Sequence, residues 1–325
     1  MFSFTLLGTG VKRPTPDRQL TSVFVNFDGD RYLIDAPEGI QTTLQQHNAG
    51  TRIDAILATG LKANSLLGLP GLLQTLSHLD KSDDRSQLSE LTLYVPKSPR
   101  SKTIVEKYLN LMNHECSVTV EFIESGDTVR TQENHTITAT PTDSPDSVGY
   151  RFNEHDRNGE FNREKAEELG VPVGPKFGRL HDGEDVELDD GRVIKSEQVV
   201  GPARPGRTFG YTGATEHVTG LADQFRGVDV LLCDCGNTND KHTNRDVDHH
   251  MSAYQAGTMA ESANVSVLIP THIRGTYGPN GNALIPDLNQ SFDGYYQVPH
   301  DGLQYRILPK ESAGRATHHS DIIAE

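Results

Sequence analysis

Short apolar runs alternate along the chain with amphipathic stretches, the rhythm of an α/β protein. Phe2–Gly8 reads as a strand closed by a tight turn, and Val23–Phe27 and Tyr32–Asp35 flank Asp28-Gly29-Asp30, a hairpin signal. Glu38–Asn48 has helical character, Ile53–Ala58 is an apolar strand leading into a polar loop, and Leu66–Leu79 carries one apolar helical face. Leu91–Val95 is a further strand and Pro99–Asn113 a helix. Strands at Val118–Ile123, Thr136–Thr140 and Val148–Phe152 complete a first half of about residues 1–155.

Between Asp156 and Gly206 the pattern breaks. This segment is rich in Gly, Pro and charge and carries Gly174-Pro175 and Gly201-Pro202. It shows a short helix at Arg163–Leu169 and a hairpin around Asp189-Asp190-Gly191. It makes a poor core element and reads as a projecting arm or as a plain surface insertion. The α/β rhythm returns over 207–310, with strands at Phe209–Thr212, Val228–Cys233 and Val265–Ile269 and helices at Leu221–Phe225 and Met251–Ala263. A polar tail, 311–325, is expected to fray. Functional side chains of such folds gather where strands end, which selects Thr59–Ser65, Gly213–Thr215 and His272.

Composition narrows the picture. A chain of 325 residues can bury a sizeable core, and with 34% hydrophobic residues, 6% aromatics and no Trp that core is mainly aliphatic. No apolar run approaches the roughly 20 residues that cross a bilayer, and the N-terminus lacks the marks of a signal peptide, so the expected location is the cytoplasm. The three cysteines, Cys116, Cys233 and Cys235, are too few for a disulfide framework, and Cys233-x-Cys235 in an apolar strand reads as buried structure before it reads as a metal pair. The net charge of −15 repels nucleic acid at long range. Its carboxylates are scattered, as in a solvated coat suited to very salty cytoplasm, where a Debye length of about 3 Å at 1 M salt leaves little long-range repulsion.

Several local motifs, in order, carry a family resemblance. They are Leu7-Gly8-Thr9-Gly10 with Arg13-Pro14-Thr15-Pro16-Asp17-Arg18, Leu33-Ile34-Asp35 with Glu38-Gly39, and Gly68-Leu69-Pro70-Gly71-Leu72-Leu73. Later come Gly149-Tyr150-Arg151-Phe152, Pro172-Val173-Gly174-Pro175, Arg204-Pro205-Gly206-Arg207, and Thr271-His272 before Tyr277. Over nearly its whole length the chain resembles RNase Z, the endonuclease that trims tRNA 3′ ends. The resemblance implies a metallo-β-lactamase fold, an αββα sandwich with a projecting arm, as a single domain. It also implies an arm that grips RNA, with Gly174, Pro175, Lys176 and Arg179 as contacts, and a homodimer in which one subunit's arm holds the tRNA cut by the other.

At the active site the resemblance breaks. RNase Z enzymes hold two zinc ions with five His and two Asp, most of them in a Thr-His-x-His-x-Asp-His strand end. Here that stretch is Thr59-Gly60-Leu61-Lys62-Ala63-Asn64-Ser65. Gly60, Lys62, Asn64 and Ser65 stand where the family has ligands, as do Ser144 and Ala214, and only His272 is retained. Zinc needs imidazole, thiolate or carboxylate donors at about 2.0–2.3 Å, which these six residues do not offer. No cofactor is therefore expected. The family's supporting acid and proton-donating His correspond to Asp234 and His250. A rival reading gathers Asp246, Asp248, His249, His250 and His272 into a new metal site, although His-Asp clusters in polar loops are more often solvated.

Three functions follow as expectations. The first is an RNase Z-like pseudoenzyme that binds RNA, such as tRNA, without cutting it. The second is an interaction protein, an inactive partner of itself or of an active paralogue. The third is a nuclease or hydrolase with a different centre. The emptied ligand positions are also expected to form an anion site from Lys62, His250, His272 and Arg274. Alternatively, Lys62 turns to solvent or pairs with Asp35 or Asp234.

Overall fold

Successive strand residues alternate between two apolar environments, and this period of two sorts them into stacked sheets. The computed structural model describes residues 1–78, 90–242, 250–310 and 322–324. Among these, one sheet has eight strands, in the order Ile322–Ala324, Gln304–Ile307, Phe2–Gly8, Ser22–Phe27, Asp30–Ile34, Ala55–Leu57, Leu91–Pro96 and Val118–Ile123. The other has seven, in the order Tyr295–Tyr296, Val267–Thr271, Val230–Asp234, Thr208–Tyr211, Val148–Glu154, His135–Pro141 and Thr128–Thr131. Each sheet is antiparallel in one part and parallel in the other. The parallel parts run from Asp30–Ile34 to Val118–Ile123 and from Thr208–Tyr211 to Tyr295–Tyr296.

Tyr32, Ile34 and Leu57 face Ile137, Phe152, Phe209 and Ile269 across the gap between the sheets. The alternate residues Leu33, Ile56 and Leu93 face outward and pack under the helices Ile40–Gln46 and Leu69–Ser77. On the far side Leu231 and Leu268 pack under Ala253–Ser262 and Ile285–Ser291. The result is the expected αββα sandwich. The expected helix from Leu66 is divided into Ala63–Leu66 and Leu69–Ser77. The division falls at Gly68, where a Cβ would lie 1.9 Å from the Pro37 carbonyl oxygen. Leu79 lies outside the described residues. No helix among them is long and apolar enough to cross a membrane.

Two expectations need correction. The arm has a small apolar core of its own, built from Ala166, Val171, Leu180, Val186, Ile194 and Val199. Besides the expected helix (Arg163–Glu168) and hairpin (Val186–Glu187 with Val193–Ile194), it contains a second helix, Pro175–His181. The Gly-Pro pair that looked like a break is a helix start, with Pro175 in the first turn. The tail does not fray throughout, since Ile322–Ala324 pairs antiparallel with Gln304–Ile307. The rest of 311–325 lies outside the described residues.

The root of the arm is tied to the sheets by a buried ion pair. Arg207 Nε donates to Glu154 Oε2 at 2.7 Å, Nη2 lies 2.5 Å from Oε1, and Nη1 donates to the Ile307 carbonyl. Its guanidinium lies over the rings of Phe2 and Phe27. Burial pushes the Glu154 carboxyl up, but the hydrogen bonds from Arg207 outweigh it and hold the group below its usual value. Replacing Arg207 with Met would leave this carboxylate buried and uncompensated. Urea unfolding is expected to register a loss of about 3–5 kcal/mol; a loss under about 1 kcal/mol, the scale of an exposed pair, would contradict this account.

His135 supplies a second prediction. Its ring stacks on Phe27, and its Nε2 lies 2.7 Å from the Tyr32 hydroxyl. Burial lowers its pKa to about 4, against about 6.5 in an unfolded chain. Between those values the unfolded chain binds a proton that the fold refuses, so stability falls as pH drops from about 6.5 to about 4. The urea midpoint of a His135→Gln protein should show a pH dependence over that window weaker by about one proton. An unchanged pH profile would mean that this imidazole is not held neutral.

Candidate functional site

The parallel strands deliver their C-terminal ends to a common region, and a buried carboxylate organises the loops of each sheet there. In the eight-stranded sheet this is Asp35, in the left-handed region at φ 61°. Its carboxyl accepts hydrogen bonds from the Thr59 N–H and the Thr59 hydroxyl, both at 2.7 Å. The Thr59 hydroxyl lies 3.2 Å from Ser65 Oγ, and the Ser65 carbonyl accepts from the Ala36 N–H. Burial raises the Asp35 pKa to about 7, against the lowering effect of the Thr59 and Ser65 hydrogen bonds.

In the seven-stranded sheet the organising group is Asp234, fully buried. Its carboxylate accepts from the N–H groups of Thr215 at 2.9 Å and Gly236 at 3.1 Å, and lies 2.6 Å from His250 Nδ1. Gly236 is needed here, because a Cβ on it would stand 2.8 Å from His250 Cβ. The rings of His250 and His272 are 5.6 Å apart. His272 has φ 57°, and burial lowers its pKa to about 4. The Thr271 hydroxyl donates to the Cys233 carbonyl and lies 3.2 Å from His272 Nδ1, where it can accept a proton bond. The Tyr211 hydroxyl is 3.5 Å from Nε2.

A pocket of about 810 Å³ opens between the two sets of loops. Gly60, Lys62, Asn64, Ser65, Ser144 and Ala214 all line it, so the six residues singled out in separate stretches of sequence meet in one place. His250, His272 and Arg274 are not among its lining. The two imidazoles are buried, and Arg274 Nε donates to the Gly236 carbonyl and to Asn237 Oδ1, each at 2.8 Å. Lys62 is exposed. It pairs with neither Asp35 nor Asp234, which bond to Thr59 and to Thr215, Gly236 and His250. The expected four-residue anion cluster is therefore divided between the pocket and the core beside it.

The pocket also contains Arg100, Asp143, Asp146 and Glu216, which the sequence reading passed over. Arg100 follows the Leu91–Pro96 strand, so the strand-end rule itself was the available signal. The six aligned positions themselves do not suit zinc. Gly60 and Ala214 offer no side-chain donor, Asn64, Ser65 and Ser144 offer neutral oxygens, and Lys62 brings an ammonium. Among the described residues no group of three or more His, Cys, Asp or Glu is placed to hold a metal ion. Asp246, Asp248 and His249 of the alternative metal cluster lie outside the described residues. On the arm, Gly174 and Pro175 are exposed. Lys176 lies 3.3 Å from Asp189, and Arg179 lies 2.7 Å from Glu184, so both expected phosphate contacts have acidic neighbours.

Comparison with known proteins agrees with this architecture. Residues 196–273 match the beta-lactamase superfamily domain. The chain is 37% identical over 313 residues to ribonuclease Z of Haloferax volcanii, covering 95% of this chain and 96% of that one. It is 34% identical to ribonuclease Z of Methanosarcina mazei, covering 90% and 94%. Among solved structures, human tRNase Z, short form, superposes with a TM-score of 0.62 at 17% identity, over 93% of this chain and 98% of that one. The metallo-beta-lactamase fold protein YhfI from Bacillus subtilis gives 0.64 at 13% identity, over 94% and 100%. The fold is shared with both structures, and on the strength of its sequence relatives the chain belongs to the ribonuclease Z family.

Proposed function

We propose that this chain is a catalytically inactive ribonuclease Z-family protein that binds RNA, such as tRNA, without zinc-dependent 3′ cleavage. The observation that carries this reading is the donor set of the strand-end pocket, in which the six aligned positions supply neither an imidazole nor a carboxylate. A metal ion there would normally activate water and neutralise charge on the scissile phosphate. The His250–Asp234 pair is packed beside His272, yet Asp234 is engaged by His250 Nδ1 and two peptide N–H groups, and among the described residues these three are not placed to hold a metal ion together. Retention of the family's length and motifs beside this pocket favours continued binding over loss of all function.

A second reading, an inactive partner of itself or of an active nuclease, is favoured by the edge strand Val118–Ile123. It pairs on one side only among the described residues and exposes Phe122. Pull-downs with and without ribonuclease treatment separate the two readings.

Purified protein is expected to carry well under one zinc per chain by elemental analysis and to leave tRNA precursors uncut. Stoichiometric zinc, or 3′ cleavage abolished by a chelator, would overturn the assignment. Restoring one or two ligands should not recover metal binding, because a site needs several donors and their supports at once.

The arm gives an independent test. Its apolar core is separate from the other three, so excising the arm beyond its Arg157–Arg204 bridge should leave a cooperative thermal transition for the sandwich. RNA affinity should fall by an order of magnitude or so, as expected when several phosphate contacts are lost. Unchanged RNA binding would remove the arm from the RNA-binding surface.

A further inference from the structure

Two chain segments lead into the arm, and they touch so closely that no side chain fits between them. A Cβ on Gly206 would stand 2.0 Å from the Glu154 carbonyl oxygen, and one on Gly159 would stand 2.0 Å from that of Gly201. Between these points Arg157 and Arg204 exchange backbone hydrogen bonds at 2.9 and 2.8 Å. The neck is therefore a single two-chain ribbon. A ribbon fastened only to itself is free to hinge at its root, so its direction must be set from outside.

That direction depends on a third segment, residues 304–310. Its first part, Gln304–Ile307, pairs antiparallel with residues 2–5 of the eight-stranded sheet. Beyond the strand, Lys310 Nζ lies 2.9 Å from Asp229 Oδ1, while Asp229 Oδ2 accepts from the Thr208 N–H and hydroxyl in the seven-stranded sheet. Two arginines of the neck then donate to carbonyls of this segment. Arg207 Nη1 bonds to that of Ile307 at 3.0 Å, and Arg157 Nη2 to that of Lys310 at 2.7 Å. One short stretch of chain thus joins both sheets to the arm.

The two fastenings are unequal. Arg207 is buried, and its remaining donors engage Glu154. Arg157 is half-buried, and its buried Nε has no hydrogen-bond partner among the described residues. Burial lowers the Arg157 pKa, and neighbouring Arg204 and Arg207 lower it further against the pull of Glu154. The outer fastening is the weaker one.

We propose that residues 304–310 are a strap that sets the direction of the arm. The contact from Arg157 to Lys310 is its catch, which opens while the Arg207–Glu154 root stays closed. Lys310 is a positioning residue, because its ammonium on Asp229 fixes the carbonyl that Arg157 needs. The strap works the same way whatever the arm holds, so its test is independent of RNA binding.

Hydrogen exchange on the full-length protein reads the catch, since local openings expose the amides they free. In Arg157→Met and in Lys310→Met the backbone amides of residues 157 and 204 should exchange about tenfold faster or more, the factor that a lost charge-assisted hydrogen bond supplies. The sandwich helix Ala253–Ser262 should keep its parent rates. Lys310→Arg, which retains a cation for Asp229, should behave as the parent. So should Arg163→Met, which breaks the exposed pair with Glu167 on the arm. Spin labels at exposed Val193 and Lys102, in a Cys116→Ser background, should give a narrow distance distribution in the parent and a broader one in Arg157→Met. Arg157→Met carries the test alone if Lys310→Met does not fold. Parent-like amide rates or an unchanged distance distribution in Arg157→Met would overturn the strap. Equal acceleration throughout the sandwich would overturn it too, because the contact would then serve stability alone.

Discussion

Two buried carboxylates hold the functional end of this molecule together. Parallel strands leave their last backbone groups without partners, and the loops that follow them need a substitute for the ladder. Asp35 supplies it in one sheet by binding the backbone and hydroxyl of Thr59, and Asp234 supplies it in the other by binding two backbone N–H groups and His250. Through these bonds the loops that shape the pocket are tied to the ends of both sheets.

The two groups do this differently. Burial without a cationic partner raises Asp35 to about pH 7, so near neutrality its carboxyl holds a proton for part of the time. Asp234 faces an imidazole at 2.6 Å and two peptide N–H groups, partners suited to a carboxylate anion. The fully buried Tyr211 and the His272 beside it line the same interior, and burial raises the tyrosine pKa while lowering that of the histidine. Both are thereby kept neutral. Beneath the polar loops the interior of the sandwich thus avoids unpaired charge.

Much of the sandwich was legible from the chain because strand and helix periods differ, and because Asp28-Gly29 marks the first hairpin without ambiguity. Short strands escaped notice. Thr128–Thr131 and Gln304–Ile307 have four residues each, too few for a period to stand out from polar neighbours. The helix at Pro175–His181 was hidden by its Gly-Pro start. The six positions of the pocket could be found by aligning motifs, whereas its full charged lining could not. Arg100 and Asp146 are far apart in sequence, and only the stacking of one sheet's ends against the other's brings them to one cavity. Lys176 and Arg179 illustrate the opposite limit, since sequence shows acidic residues such as Glu184 close by, but only the fold pairs Glu184 with Arg179 and brings Asp189 onto Lys176.

The arm's private core has an evolutionary consequence. Val171, Leu180 and Ile194 pack among themselves, and backbone bridges such as Arg157–Arg204 and Phe161–Val200 close the neck that leads to the sheets. Substitutions on the arm's outer face are therefore absorbed within a unit of about 50 residues, a length near the lower bound for autonomous packing. Selection can reshape what that unit touches while the sandwich accumulates its own changes at a different pace, so the two parts of one polypeptide are free to follow separate histories.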